Sequence, residues 1–264
     1  MRNRWTRPFG QYAIASTVND ANASLTSLIA SRLAFGGTSE AEELVGLADA
    51  ALKMGDVSWL EVGAGNGANL AFLLDQLAVD RTIDAIAVEP AAFCPPARPD
   101  IRWITGRIED YTTSRTHDWV NVRHSAYYIR DAVSELQRLT RMLAPGGTVA
   151  LIHWSQDCVL RRVHQLLVAD PGDPPCAGVE DLVKWLREDA QLTVSDPIFY
   201  ETRLDVALVP ADRATRDSLR QLLLRGRPER RGVDPDALSH LLRTMPEPNV
   251  RRNGIVFVNR PSAN

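Results

Sequence analysis

Asp56-Val57-Ser58-Trp59-Leu60-Glu61-Val62-Gly63-Ala64-Gly65-Asn66-Gly67 decides how this chain is read. Residues 56–60 have the make-up of a buried strand. The glycine run then turns the chain sharply, and Leu70, Leu73, Leu74 and Leu77 recur at helical spacing after it. Strand, glycine turn and helix in that order let a ligand approach the backbone closely, which a side chain at the turn would prevent. Ile86-Ala87-Val88-Glu89 is the next strand, and a carboxylate at its end is placed to hold the two hydroxyls of a ribose. The pattern predicts a nucleoside-containing cofactor held by Glu61, Gly63, Gly65, Gly67 and Glu89.

Gly63-x-Gly65-x-x-Ala68 also fits the relaxed dinucleotide pattern, which alone has little specificity. Two features favour another cofactor. Glu61 lies two residues before the first glycine, where a carboxylate would repel a pyrophosphate and would suit a sulfonium and an ammonium group. Downstream, Leu143-Ala144-Pro145-Gly146-Gly147-Thr148-Val149-Ala150-Leu151-Ile152 reads as a helix stopped abruptly before a strand. Together these stretches resemble the class I methyltransferases that use S-adenosyl-L-methionine. The resemblance implies a Rossmann-like α/β fold, with a mostly parallel sheet, an antiparallel last strand, an N-terminal helical lid and a C-terminal helical insertion.

The rest of the chain accommodates that fold. Its 264 residues suffice for one large α/β domain, and 45% apolar with 24% charged residues is ordinary for a globular protein. A net charge of −3 gives no reason to expect nucleic acid or an anionic membrane as partner. Cys94, Cys158 and Cys176 are scattered, which argues against a disulfide framework or a zinc site and suits a reduced compartment. No signal peptide or membrane span is evident, so the expectation is a cytoplasmic monomer or homodimer acting on a small molecule.

We read residues 1–55 as a helical lid, 56–155 as the cofactor-binding core, and 156–264 as a half carrying substrate-cap helices and a closing strand. Strands are predicted near 57–62, 84–89, 101–104, 118–123 and 147–153, and later near 198–207 and 255–258. Helices are predicted from Ala41 to Met54, from an N-cap at Asp131 through Leu143, from Gly178 to Ala190, and near 211–224 and 234–242.

Methyl transfer from a sulfonium is an in-line displacement, so positioning does most of the work and can supply about 7–11 kcal/mol of the barrier reduction. The stretch that follows the fourth strand, Arg123-His124-Ser125-Ala126-Tyr127-Tyr128, is where an acceptor would meet the methyl group. His124 can orient or deprotonate an acceptor, or simply bond neighbouring backbone. Tyr127 and Tyr128 can hold a cationic centre against their ring faces, or pack the sheet edge. We take His124 and Tyr128 as the catalytic pair. In class I methyltransferases the loop matching Thr105-Gly106-Arg107-Ile108 contacts adenine, often through an acidic side chain, and Arg107 departs from that pattern. Adding Pro90, Arg107, Ile108 and Arg123 completes the predicted cofactor set.

A narrower resemblance covers roughly residues 56–260. Val88-Glu89-Pro90, the block from Asp118 through Tyr127-Tyr128-Ile129-Arg130-Asp131, and Asn253 before the last strand resemble histamine N-methyltransferase. The resemblance implies a substrate pocket that includes Phe9, Tyr12, His124 and Asn253, and Tyr127, Tyr128 and, just past the fifth strand, Trp154 are placed to line it as well. The glutamate that pairs with the substrate amine in that family falls at Val18. Histamine is therefore a poor fit, and N-methylation of another small amine, an amino-acid derivative or a natural-product intermediate of secondary metabolism is the expectation. An O- or C-methyltransferase and a non-catalytic S-adenosylmethionine-binding protein stand as alternatives.

Overall fold

The computed structural model describes residues 40–90, 98–167, 177–203 and 250–260, with His240 and Thr244. Residues 1–39 of the expected N-terminal lid, with Phe9 and Tyr12, and the body of both expected cap helices lie outside the described residues, whereas the end of the lid is the helix Glu40–Ala51.

Among the described residues eight strands form one sheet. β1 is Gly55–Val62, β2 Arg81–Glu89, β3 Ile101–Thr105, β4 His117–Arg123, β5 Leu143–Trp154, β6 Thr193–Val194, β7 Ile198–Arg203 and β8 Val250–Asn259. Their order is β3-β2-β1-β4-β5-β8-β6, and β7 also pairs with β8. The first five strands run parallel, while β8 is antiparallel to β5, β6 and β7. This is the mixed Rossmann-like architecture predicted from the sequence.

Helices cover both faces, as a parallel sheet requires. On one face α1 (Glu40–Ala51) and α2 (Ala68–Leu77) bury Leu44, Leu70 and Leu74 against Trp59, Trp119 and Ile152. The Trp59 and Trp119 rings stack there with centroids 5.6 Å apart. On the other face α3 (Ala132–Thr140) and α5 (Val179–Leu186) pack Leu136, Leu139, Leu182 and Leu186 on Leu60, Val120, Leu151 and Val256. Strands buried on both sides explain why residues 85–88 read as a continuous apolar run and why Trp59, Leu60 and Val62 are all buried in β1. An unpredicted helix, α4 (Val159–Leu167), follows β5.

Several boundaries differ from the sequence reading by a few residues, as at Arg81, Ala51 and Leu186, and two differ for a clear physical reason. Leu143 is not the last turn of a helix: α3 stops at Thr140, and Leu143 already pairs with His117 at the start of β5. Pro145-Gly146-Gly147 is a bulge within that strand, because Trp119 next pairs with Thr148. Glycine is required at 147, where a Cβ would lie 2.7 Å from the His117 carbonyl. β8 is also longer than 255–258, because its polar start, Arg251-Arg252-Asn253, is matched residue for residue by β7.

Candidate functional site

The strand order reverses between β1 and β4, and ligands of open α/β sheets bind beyond the carboxyl ends of the strands at such a point. The glycine turn lies there. Gly63 N–H donates to the Val88 carbonyl at 2.8 Å, and Gly65 N–H donates to the Glu89 carboxylate at 2.8 Å. Gly63 has φ +72°, and a Cβ on it would stand 2.5 Å from Ser125 Cβ. The turn after β1 is therefore in contact with the loop after β4. Gly67, also left-handed, opens α2 without a side-chain cap.

The loop after β3 joins the same edge. Gly106 N–H donates to the Glu89 carbonyl at 3.0 Å. Ile108 is buried, and its carbonyl accepts from Arg138 Nη2 at 2.6 Å; Arg138 Nη1 donates to the Tyr111 carbonyl at 2.9 Å. Pro90 and Arg107 are exposed at the rim. Glycine turn, Glu89 and the Ile108 loop thus form one cradle, with the Ser125 hydroxyl buried and lacking a partner beside it. An orphaned polar atom next to a close-approach backbone fits a polar nucleoside cofactor.

Beneath the turn lies a buried polar layer. Glu61 accepts from Trp59 Nε1 at 2.9 Å and from Asn121 Nδ2 at 2.9 and 3.0 Å. Burial pushes its carboxyl up to about 7, although both hydrogen bonds and the Arg123 charge pull the other way. Glu61 thus supports the turn from inside the sheet, and near pH 7 it is only partly ionised. The Arg123 guanidinium is buried against Glu40, with Nε donating to Oε1 at 2.5 Å. His124 Nε2 lies 2.8 Å from the other Glu40 oxygen, which also accepts from the Tyr200 hydroxyl.

A wall of aromatic rings continues from this layer. Tyr127 stacks on Trp154 with centroids 4.5 Å apart and lies 4.7 Å from Tyr128 and 5.4 Å from His153. Tyr128 is 40% exposed whereas Tyr127 and Trp154 are buried. Asn253 pairs with Trp154 on one side and with Tyr200 on the other. The described residues of the predicted site are thus at or near this edge of the sheet, except that Glu61 is buried beneath it on Trp59 and Asn121 and Arg123 is buried on Glu40.

Sequence reasoning missed Glu40, Tyr200, Asn121, Ser125 and Arg138. A glutamate at a helix start reads as a partner of the helix dipole, so nothing at Glu40 signalled a site. Among the described residues no group of three His, Cys, Asp or Glu side chains forms a metal site, and no helix is long and apolar enough to cross a membrane.

No family model and no curated protein matches this chain. Solved structures do. The YcgJ protein from Bacillus subtilis is 14% identical with a TM-score of 0.55, over 84% of this chain and 99% of that one. A protein from Anabaena variabilis, assigned as a methyltransferase of an antibiotic biosynthesis pathway, is 15% identical with a TM-score of 0.52, over 81% and 96%. The [4+2]-cyclase SpnF is 14% identical with a TM-score of 0.54, over 84% and 82%. At such identities the likeness is one of fold: the chain shares the Rossmann-like fold of these proteins.

Proposed function

We propose that this protein is an S-adenosylmethionine-dependent methyltransferase of a small molecule, and that it N-methylates an amine, an amino-acid derivative or a natural-product intermediate. The observation that carries the reading is the joint between Glu89 and the glycine turn at the switch point, where Gly65 N–H donates to the Glu89 carboxylate at the strand ends that bind ligands in open α/β sheets. S-adenosylmethionine supplies an electrophilic methyl on a sulfonium whose bonding pair leaves with the sulfur. Gly63, Gly65 and Gly67 give the backbone room to approach that cofactor. Glu89 takes the ribose hydroxyls, the Ile108 loop takes the adenine, and Glu61 and Arg123 brace the turn from below. His124, Tyr127, Tyr128, Trp154 and Asn253 line the acceptor side.

The fold supports the class and leaves the reaction open, since one neighbour carries a cyclase name, so the reaction is read from the site. The Anabaena neighbour's antibiotic pathway agrees with a small-molecule acceptor. The Tyr127-Tyr128 rings suit an amine, while a carboxylate-bound imidazole at His124 would serve a hydroxyl acceptor equally well. The test supplies S-adenosylmethionine with a labelled methyl to a panel of small amines, phenols and activated carbon acids, and locates the label by NMR. Label on nitrogen supports the proposal. Label only on oxygen or carbon overturns N-methylation, and cofactor binding without transfer to any acceptor favours the non-catalytic reading. With an acceptor in hand, His124→Gln should lower kcat by roughly 100-fold or more, with cofactor affinity retained.

A further inference from the structure

We propose that Glu40, the first residue of α1, is the positioning residue for His124. It holds the imidazole with its hydrogen on Nε2, so that the basic lone pair resides on Nδ1. The use made of that lone pair rests on the methyl-transfer reading; the tautomer itself does not.

Glu40 is 4% exposed and collects donors from three directions. Arg123 reaches it from the end of β4, His124 from the following loop, and Tyr200 from β7. An ionised carboxylate can only accept hydrogen bonds, and the Arg123 guanidinium supplies the counter-charge that a buried carboxylate needs. The nitrogen 2.8 Å from Glu40 Oε2 must then carry the hydrogen, which leaves the lone pair of a neutral ring on Nδ1.

The backbone points the same way. His124 is the one non-glycine residue with positive φ among the described residues, at +49°. Such a conformation costs about 1–3 kcal/mol and persists where surrounding contacts over-determine it. Here the His124 N–H is tied to the Ile152 carbonyl at 3.0 Å, and the ring is tied to Glu40. An ion pair serving stability alone would need only Glu40 and Arg123. The strained histidine lies next to Ser125, whose Cβ faces Gly63 in the cofactor turn.

In the proposed reaction the acceptor's lone pair would form its new bond to the methyl carbon as the sulfur–methyl bond breaks, its electron pair staying on the sulfur of the departing thioether, and the acceptor would be left with a proton to lose. That proton passes to the His124 Nδ1, the resulting imidazolium is steadied by the Glu40 charge, and the proton leaves to water. No oxidant, reductant or metal enters the balance.

The test is ¹⁵N NMR of the histidine rings in the full-length chain, labelled at histidine and saturated with S-adenosylhomocysteine, with His124 assigned through a His124→Gln variant. The expected result is the Nε2–H tautomer for His124 above neutral pH. In the double variant Glu40→Leu/Arg123→Met, which exchanges the ion pair for apolar side chains of similar size, that preference should be lost. A wild-type ring with its hydrogen on Nδ1, or a double variant that keeps the wild-type signature, would overturn the proposal. The wild-type spectrum decides even if the double variant does not fold. Calorimetry on the same samples separates the two readings: absence of cofactor binding sinks the methyltransferase, whereas the wrong tautomer sinks only the role of Glu40.

Discussion

A methyl group on Gly63 has nowhere to go: it would meet Ser125 Cβ at 2.5 Å on a backbone already at φ +72°. Gly63→Ala should therefore weaken S-adenosylhomocysteine binding by roughly tenfold or more, about 1.4 kcal/mol, measured by calorimetry. Unchanged affinity would mean that the turn does not hold the ligand. Glu61 makes a prediction about stability. Its carboxyl rises from 4.5 to about 7 on folding, chiefly because burial disfavours the charge. The folded chain therefore binds the extra proton between those values, and stability is lost as pH rises through that window, by on the order of 3 kcal/mol. His117 acts in the opposite sense. Burial, then the nearby Arg115 charge, lowers its ring to about 4 from 6.5, so its contribution is lost as pH falls through that range. The readout must therefore be wild type minus variant. Denaturant unfolding of wild type and Glu61→Gln from pH 4.5 to 8 should show wild type losing stability relative to the variant as pH rises, and a constant difference would contradict the assignment.

At the scale of elements, Arg138 ties α3 to the loop after β3, with one nitrogen on the Ile108 carbonyl and another on that of Tyr111. Arg138→Met removes both ties along with the link to Glu135, so it should weaken cofactor binding while β1 and the glycine turn keep their structure. Calorimetry beside circular dichroism checks this, and full affinity in the variant would free the loop from any role in binding. The N-cap of α3 was legible in the sequence: Asp131 accepts from Ser134 N–H at 3.1 Å, and Asp131→Ala should cost about 1 kcal/mol in denaturant unfolding. The start of β5 was not legible. Leu143 continues the spacing of Leu136 and Leu139, and only its pairing with His117 reveals that the helix has already ended. Pro-Gly-Gly is punctuation in a sequence, and whether it stops a helix or bulges a strand depends on a partner strand read elsewhere in the chain.

Over the whole molecule, the strand, glycine turn and Glu89 were readable because they are local. β1, the glycine turn and α2 are contiguous, and Glu89 ends the very next strand. The cluster around Glu40 was not readable, because its partners His124 and Tyr200 lie 84 and 160 positions away along the chain. No periodicity or spacing brings such residues together; the reversal of strand order does, by setting the end of β4 beside the glycine turn and leading β7 back along β8. We propose that this edge binds S-adenosylmethionine through Glu89 and the glycine turn. Calorimetry with S-adenosylmethionine, S-adenosylhomocysteine and NAD, on wild type and Glu89→Ala, tests it most directly. Micromolar binding of the first two, no binding of NAD, and a loss of roughly 10- to 100-fold in the variant are expected, the loss being that of hydrogen bonds to a charged group. Preference for NAD, or affinity indifferent to Glu89, would contradict it.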